Sequence, residues 1–248
     1  MLASYAGLAR EHKNAEKRVV PIMSMLSNLD LLRRVSLFSL LSEAQLQALA
    51  DSVSKRRYKR GERVVVQGQK TGVLFVILSG RARVLMSSGS RRREVILASL
   101  QTGDYFGEMS LIDGEAHSAS VDAESELDVL TLDQAAFVHL LEESAAIAHG
   151  IMRGLVRRLR QADHKIGSLA LMSVYGRVAN VLLDMAKAAP AGDMVIRVRF
   201  SRQDLAQMVG ASREMVSRVM KDFEEQGFVI PLEGGGLYVK ERRALPRN

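Results

Sequence analysis

The chain of 248 residues has no cysteine, no tryptophan, only four prolines and 5% aromatic residues. Without cysteine, disulfides, thiolate chemistry, Cys-ligated zinc and iron–sulfur clusters are all excluded. The five histidines are scattered, with neither HxxxH nor HExxH spacing, so no metal is expected. No apolar run approaches the roughly 20 residues that cross a bilayer. The N-terminal stretch is interrupted by Arg10, Glu11, His12 and Lys13 and lacks a signal-peptide core, so a cytoplasmic protein without a membrane partner is expected. Nucleophile-elbow motifs and Walker-type loops are missing too, so the chain does not read as an enzyme.

What is present is ordinary for a globular protein: 47% hydrophobic and 25% charged residues, enough for one or two domains with substantial cores. The net charge of +7 favours a polyanionic partner such as nucleic acid.

The chain divides by texture. Met1 to Asn28 carries no assignment, and Ser42 to Val53 has helical periodicity. From about Val64 to Leu132, short β-rich runs such as Val73–Leu78 and Leu127–Leu130 alternate with glycine or charged turns, which favours an antiparallel sandwich or barrel. A helical stretch follows from about Asp133 to Met172. Within it Ala148, Met152, Leu155, Leu159, Ala162, Ile166 and Leu169 step by four and three, the spacing of a coiled-coil seam. Gly150, Gly154 and Gly167 weaken such a helix by about 1 kcal/mol each relative to alanine, so outside contacts must hold it. A dimer seam is the favoured reading; packing within one chain is the alternative. A further helix is expected from Val174 to Lys187, a surface loop at 188–193 and a strand from Val195 to Phe200.

Ser201 to Arg218 reads as helix, glycine turn, helix. Ser201 and Asp204 form a capping signal; Leu205, Ala206 and Val209 supply an apolar face; Gly210 permits the turn. Ser212 caps a second helix with Arg213, Glu214, Ser217 and Arg218 outward and Met215, Val216, Val219 and Met220 inward. This is a helix-turn-helix, whose second helix enters the DNA major groove. Phe228–Ile230 and Leu237–Val239 flank Glu233–Gly236 as a hairpin, completing a winged helix.

Gly103 to Val121 resembles the phosphate-binding cassette of the cyclic-nucleotide-binding β-roll. With the helix and helix-turn-helix downstream, the chain resembles the cyclic-AMP receptor protein/FNR family of transcription regulators from about Leu32 to Val239. The resemblance implies an α+β chain: an unassigned extension (1–28), a double-stranded, jelly-roll-like β-roll (29–140), a long dimerisation helix (141–172) and a winged helix-turn-helix (173–248).

In the family a cassette glutamate meets the ribose hydroxyl, and an arginine followed by serine grips the cyclic phosphate. Gly107, Glu108, Met109, Ser110 and Ser118 fall on this pattern, but His117 stands at the arginine position. Neutral histidine is a poorer phosphate partner than a bidentate guanidinium. On the long helix, Ala162 and Asp163 occupy the places of the hydroxyls that recognise adenine. Asp163 can accept from the N1–H and N2–H of guanine, and Arg157, Arg160 and Arg91–Arg93 suit an anionic ligand. The effector expected is therefore cyclic di-GMP in preference to cyclic AMP; the alternative is a constitutive regulator with a vestigial pocket. The resemblance further implies a homodimer on a TGTGA-like palindrome in double-stranded DNA. Arg213 would read guanine, Glu214 cytosine and Arg218 another base edge, with Arg202 and Gln203 on phosphates. RNA polymerase is a candidate partner, although the loop around Pro190 differs in length from the polymerase-touching loop of the family's activator.

Overall fold

A computed structural model describes residues 26–88, 93–188, 194–232 and 236–240. The readings made for the N-terminal stretch up to residue 25, for Arg91 and Arg92, for the loop around Pro190 and for the tip of the wing hairpin lie outside the described residues.

Helices α1 (Asn28–Leu32) and α2 (Glu43–Ser52) each begin with a reciprocal capping box, Ser27 with Asp30 and Ser42 with Gln45. Eight strands follow: β1 (Val53–Tyr58), β2 (Arg63–Val65), β3 (Val73–Ser79), β4 (Arg81–Ser88), β5 (Arg93–Gln101), β6 (Tyr105–Phe106), β7 (Ser120–Ala123) and β8 (Leu127–Asp133). They form two antiparallel sheets, ordered β1-β8-β3-β6 and β2-β7-β4-β5. Helix α3 (Glu108–Asp113) lies between β6 and β7.

Strand β3 is apolar without alternation because both its faces are covered. Phe75 and Ile77 point into the core between the sheets, where Phe75 stacks on Phe106 with centroids 4.8 Å apart. Leu74, Val76 and Leu78 point the other way, onto a helical layer built from Leu31, Phe38, Leu49, Phe137 and Ile147.

The helical stretch expected from Asp133 to Met172 comprises two helices, α4 (Gln134–Glu143) and α5 (Ala145–Leu171). Ser144 breaks it, adopting an extended backbone and accepting through its hydroxyl from the Ile147 amide. On α5 the inward stripe is Ile147, Ile151 and Gly154, continued by Arg158. Gly154 is a point of close approach, since a β-carbon there would lie 1.9 Å from the Tyr105 hydroxyl oxygen.

The exposed apolar stripe of α5 departs from the expected seam by one residue at its centre. Leu155 packs on the chain's own core, whereas Val156 is 51% exposed and continues an outer stripe through Met152, Leu159 and Ile166. Both residues are apolar, and two adjacent stripes share the same alternating steps, so spacing alone could not separate them.

The C-terminal unit comprises α6 (Val174–Met185), β9 (Lys187–Ala188), β10 (Met194–Ile196), α7 (Arg202–Val209), α8 (Arg213–Glu225), β11 (Val229–Pro231) and β12 (Leu237–Val239). Its sheet runs β11-β12-β10-β9. Helix α6 stops short of Lys187 because Lys187 and Ala188 pair with β10, and β10 itself ends at Ile196, short of the expected Phe200. The core packs Val178, Leu182, Leu205, Val216, Met220 and Phe228, with Tyr175 and Phe228 edge-on to Phe223 at 4.9 and 4.7 Å.

Candidate nucleic-acid interface and ligand cassette

The helix-turn-helix is assembled by local hydrogen bonds. The Ser201 amide donates to the Asp204 carboxylate at 2.8 Å, and the Asp204 amide donates to the Ser201 hydroxyl at 3.0 Å. Gly210 ends α7 in the left-handed region (φ 64°), and the Ser212 hydroxyl accepts from the Met215 amide at 3.2 Å to start α8. Val216, Val219, Met220 and Phe223 are buried, while Arg213, Glu214, Ser217 and Arg218 are exposed together.

Met215, expected inward, is 41% exposed. It lies about 100° round the helix from Val216, at the margin of the buried stripe.

The Glu214 carboxyl is held below its ordinary range by its own backbone amide, then by the Ser212 hydroxyl, so it is an acceptor at neutral pH. The Ser217 hydroxyl donates back to the Arg213 carbonyl at 2.8 Å. Arg202 is half-buried and paired with Glu224 at 2.7 Å, whereas Gln203 is exposed.

In the cassette, Gly107 has φ 92° and opens α3; a β-carbon there would fall 2.4 Å from the Val73 carbonyl oxygen, which only glycine avoids. Glu108 is 1% exposed. One of its oxygens accepts from Arg158, which also donates to the Tyr105 carbonyl and lies 5.1 Å from the Tyr105 ring centroid. The other, Oε2, is buried with no partner. Burial pushes the Glu108 carboxyl up, and Arg158 opposes that shift.

Arg158 is not among the residues the sequence singles out. The signal was the inward spacing Ile147, Ile151, Gly154, Arg158.

His117 is 8% exposed. Its amide donates to the Gln69 carbonyl and its carbonyl accepts from the Gly68 amide, both at 2.9 Å. Its Nε2 lies 2.9 Å from the Thr71 hydroxyl, and burial holds the ring below its ordinary pKa, hence neutral at pH 7. Ser110 is buried and donates to the Glu115 carbonyl; Met109 and Ser118 are exposed.

Arg160 and Asp163 are also exposed, on α5. Arg160 lines a groove of about 630 Å³ on that helix with Arg153, Arg157, His149 and His164, while Asp163 is not part of its wall. Among the described residues no cluster of metal ligands occurs and no helix is long and apolar enough to cross a membrane.

An antiparallel β-roll with a glycine-opened cassette, joined by a long helix to a winged helix-turn-helix, defines a DNA-binding regulator with a cyclic-nucleotide-binding domain. A family model described as a cyclic nucleotide-binding domain matches residues 55–144, and one described as a Crp-like helix-turn-helix domain matches residues 176–247. The cAMP-activated global transcriptional regulator Vfr of Pseudomonas aeruginosa is 35% identical over 193 residues, covering 74% of this chain and 88% of its own. A CRP-like cAMP-activated global transcriptional regulator of Mycobacterium tuberculosis is 28% identical over 225 residues, 88% and 98% of the two chains. Among solved structures, the c-di-GMP responsive global regulator CLP of Xanthomonas campestris superposes with a TM-score of 0.69 over 80% of this chain and 99% of its own, at 24% identity, a likeness of fold. The chain belongs to the cyclic-AMP receptor protein/FNR family of transcription regulators, and its relatives are regulators rather than enzymes.

Proposed function

We propose that this regulator is a cytoplasmic homodimer that reads a TGTGA-like palindrome and is controlled by a cyclic nucleotide, cyclic di-GMP in preference to cyclic AMP. The observation that carries the effector reading is the environment of His117. A buried, neutral imidazole already bonded to Thr71 offers a cyclic phosphate neither charge nor a bidentate fork. The Glu108 Oε2 still lacks a donor, and a ribose hydroxyl supplies one. Ala162 offers no hydroxyl to adenine, while the exposed Asp163 and Arg160 suit guanine and phosphate groups. Titration calorimetry with cyclic AMP and cyclic di-GMP tests the choice: tight cyclic AMP binding with no cyclic di-GMP binding overturns it.

The dimer reading rests on Met152, Val156, Leu159 and Ile166, four large apolar side chains exposed along one stripe of α5. Two-fold pairing of these helices would set two α8 helices into successive major grooves. Arg213 is then a bidentate guanine reader through O6 and N7, Glu214 accepts from the cytosine amino group, and Arg218 meets a further base edge, with Ser212 and Ser217 beside them. Gln203 contacts phosphate directly, and Arg202 does so by exchanging Glu224 for the backbone.

The effector acts only to the extent that it binds the DNA-competent arrangement more tightly. One observation favours a constitutive regulator with a vestigial pocket: Arg158 already occupies Glu108 and Tyr105. DNA titrations at matched salt with and without nucleotide separate the two readings.

A further inference from the structure

Two contacts tie the DNA-reading unit directly to the β-roll, with the long helix α5 bracing both sides, and none belongs to the cassette or to the α8 reading face. On β4, Arg83 donates through one guanidinium nitrogen to Glu124 of its own domain at 2.6 Å. Through another it donates to Asp204 on α7 at 2.6 Å, across 121 sequence positions. The side chains of Arg83, Glu124 and Asp204 are only 23%, 19% and 22% exposed. Helix α7 packs against β5. Strand β5 is in turn held by α5, whose Lys165 ammonium donates to the carbonyls of Ile96 at 3.2 Å and Leu97 at 2.6 Å. Leu169 of α5 touches the turn itself, its methyl 3.3 Å from where a β-carbon of Gly210 would stand.

The chemistry of the pair bears on DNA reading in two ways. Asp204 follows Arg202 and Gln203, the residues assigned to phosphate, and an unpaired carboxylate there repels a phosphodiester; the Arg83 guanidinium, shared with Glu124, offsets part of that charge. The same contact fixes α7, and through the helix-turn-helix also α8, while Arg213, Glu214, Ser217 and Arg218 stay exposed.

We infer that Arg83 is a positioning residue for DNA reading: it fastens the helix-turn-helix to the nucleotide-binding domain in an orientation that leaves the reading face of α8 open. Glu124 anchors the guanidinium on the β-roll side, and Asp204 is the point of attachment. The inference rests on the helix-turn-helix being the DNA-reading unit.

The test uses the full chain with Arg83→Ala, Asp204→Asn and both together; asparagine keeps an oxygen for the cap on Ser201. Binding to a TGTGA palindrome is measured at fixed salt, and hydrogen exchange of the α7 amides is followed without DNA. Arg83→Ala should weaken DNA binding about tenfold, the effect of losing one charge-assisted bond. It should also speed exchange in α7, and adding Asp204→Asn should cost nothing further. Unchanged or tighter DNA binding, unchanged exchange, or losses that multiply in the double variant overturn the inference. If Arg83→Ala fails to fold, exchange of the α7 amides in Asp204→Asn decides, since neutralising Asp204 also removes its repulsion of phosphate. Faster exchange than wild type supports the attachment, and unchanged exchange overturns it. Failure of the wild type to recognise the palindrome defeats the site assignment instead, and the exchange data still decide the role of Arg83.

Discussion

Replacing His117 by arginine should convert this chain toward cyclic AMP binding. The position is held from both sides by backbone hydrogen bonds, its amide to Gln69 and its carbonyl to Gly68, each at 2.9 Å, so the substitution alters the side chain without moving the cassette. Lost is the contact with Thr71, one neutral hydrogen bond worth about 1 kcal/mol. Gained, with ligand bound, is a bidentate guanidinium–phosphate pair, in which hydrogen bonds to charged groups contribute about 1.5–3 kcal/mol each. The balance, about 2–5 kcal/mol, is a rise in cyclic AMP affinity of about thirtyfold to a few thousandfold. Without ligand the same guanidinium is a largely buried cation, so the variant should melt below wild type and recover more than wild type when cyclic AMP is added. Calorimetry supplies the affinities and thermal unfolding the second readout. Thr71→Val is the control, since it frees the imidazole without adding charge and should leave cyclic AMP binding weak. An arginine variant that binds cyclic AMP no better than wild type would refute the argument that charge and fork geometry at position 117 limit this pocket.

Three further outcomes follow from the packing. Burial depresses the His117 pKa below its ordinary 6.5, so its contribution to stability is complete above that value and is lost as pH falls through the folded-state pKa. Unfolding midpoints between pH 7.5 and 5 should therefore fall less steeply in His117→Gln than in wild type, and parallel slopes would contradict this. Gly154→Ala puts a β-carbon 1.9 Å from the Tyr105 hydroxyl oxygen and should destabilise by about 1–3 kcal/mol in denaturant titrations. Adding Tyr105→Phe should restore part of that loss. Val156→Asp, on the outer stripe of α5, should yield a folded monomer in sedimentation, whereas Leu155→Ala should lower stability with the dimer retained.

The DNA-reading unit was legible because its signals are local. Ser201 with Asp204, Gly210 and Ser212 each act within four residues of themselves, and α7, the turn and α8 occur where these caps place them. The β-roll was legible as a class for a similar reason, since its strands are bounded by turns the sequence marks. Misread features depend on what lies across the fold. Ser144 is the exception: its cap on the Ile147 amide is local, but helical apolar spacing continues on both sides of it and hides the break. Leu155 and Val156 are equally apolar, and the β-roll core decides which one is covered. Arg158 and Arg83 were anonymous surface cations until the fold brought Glu108, 50 positions away, and Asp204, 121 positions away, against them. The inward spacing of Arg158 marks its face but not its partner, and Arg83 has no such mark, so the residues that join pocket to helix and domain to domain were the ones missed.

A fluorescence titration of the full chain against a TGTGA palindrome and a scrambled duplex, at one salt concentration with and without cyclic di-GMP, bears most directly on the whole account. A preference for the palindrome that strengthens with the dinucleotide is the expected result. Equal affinity for the two duplexes, whether or not nucleotide is present, would contradict it.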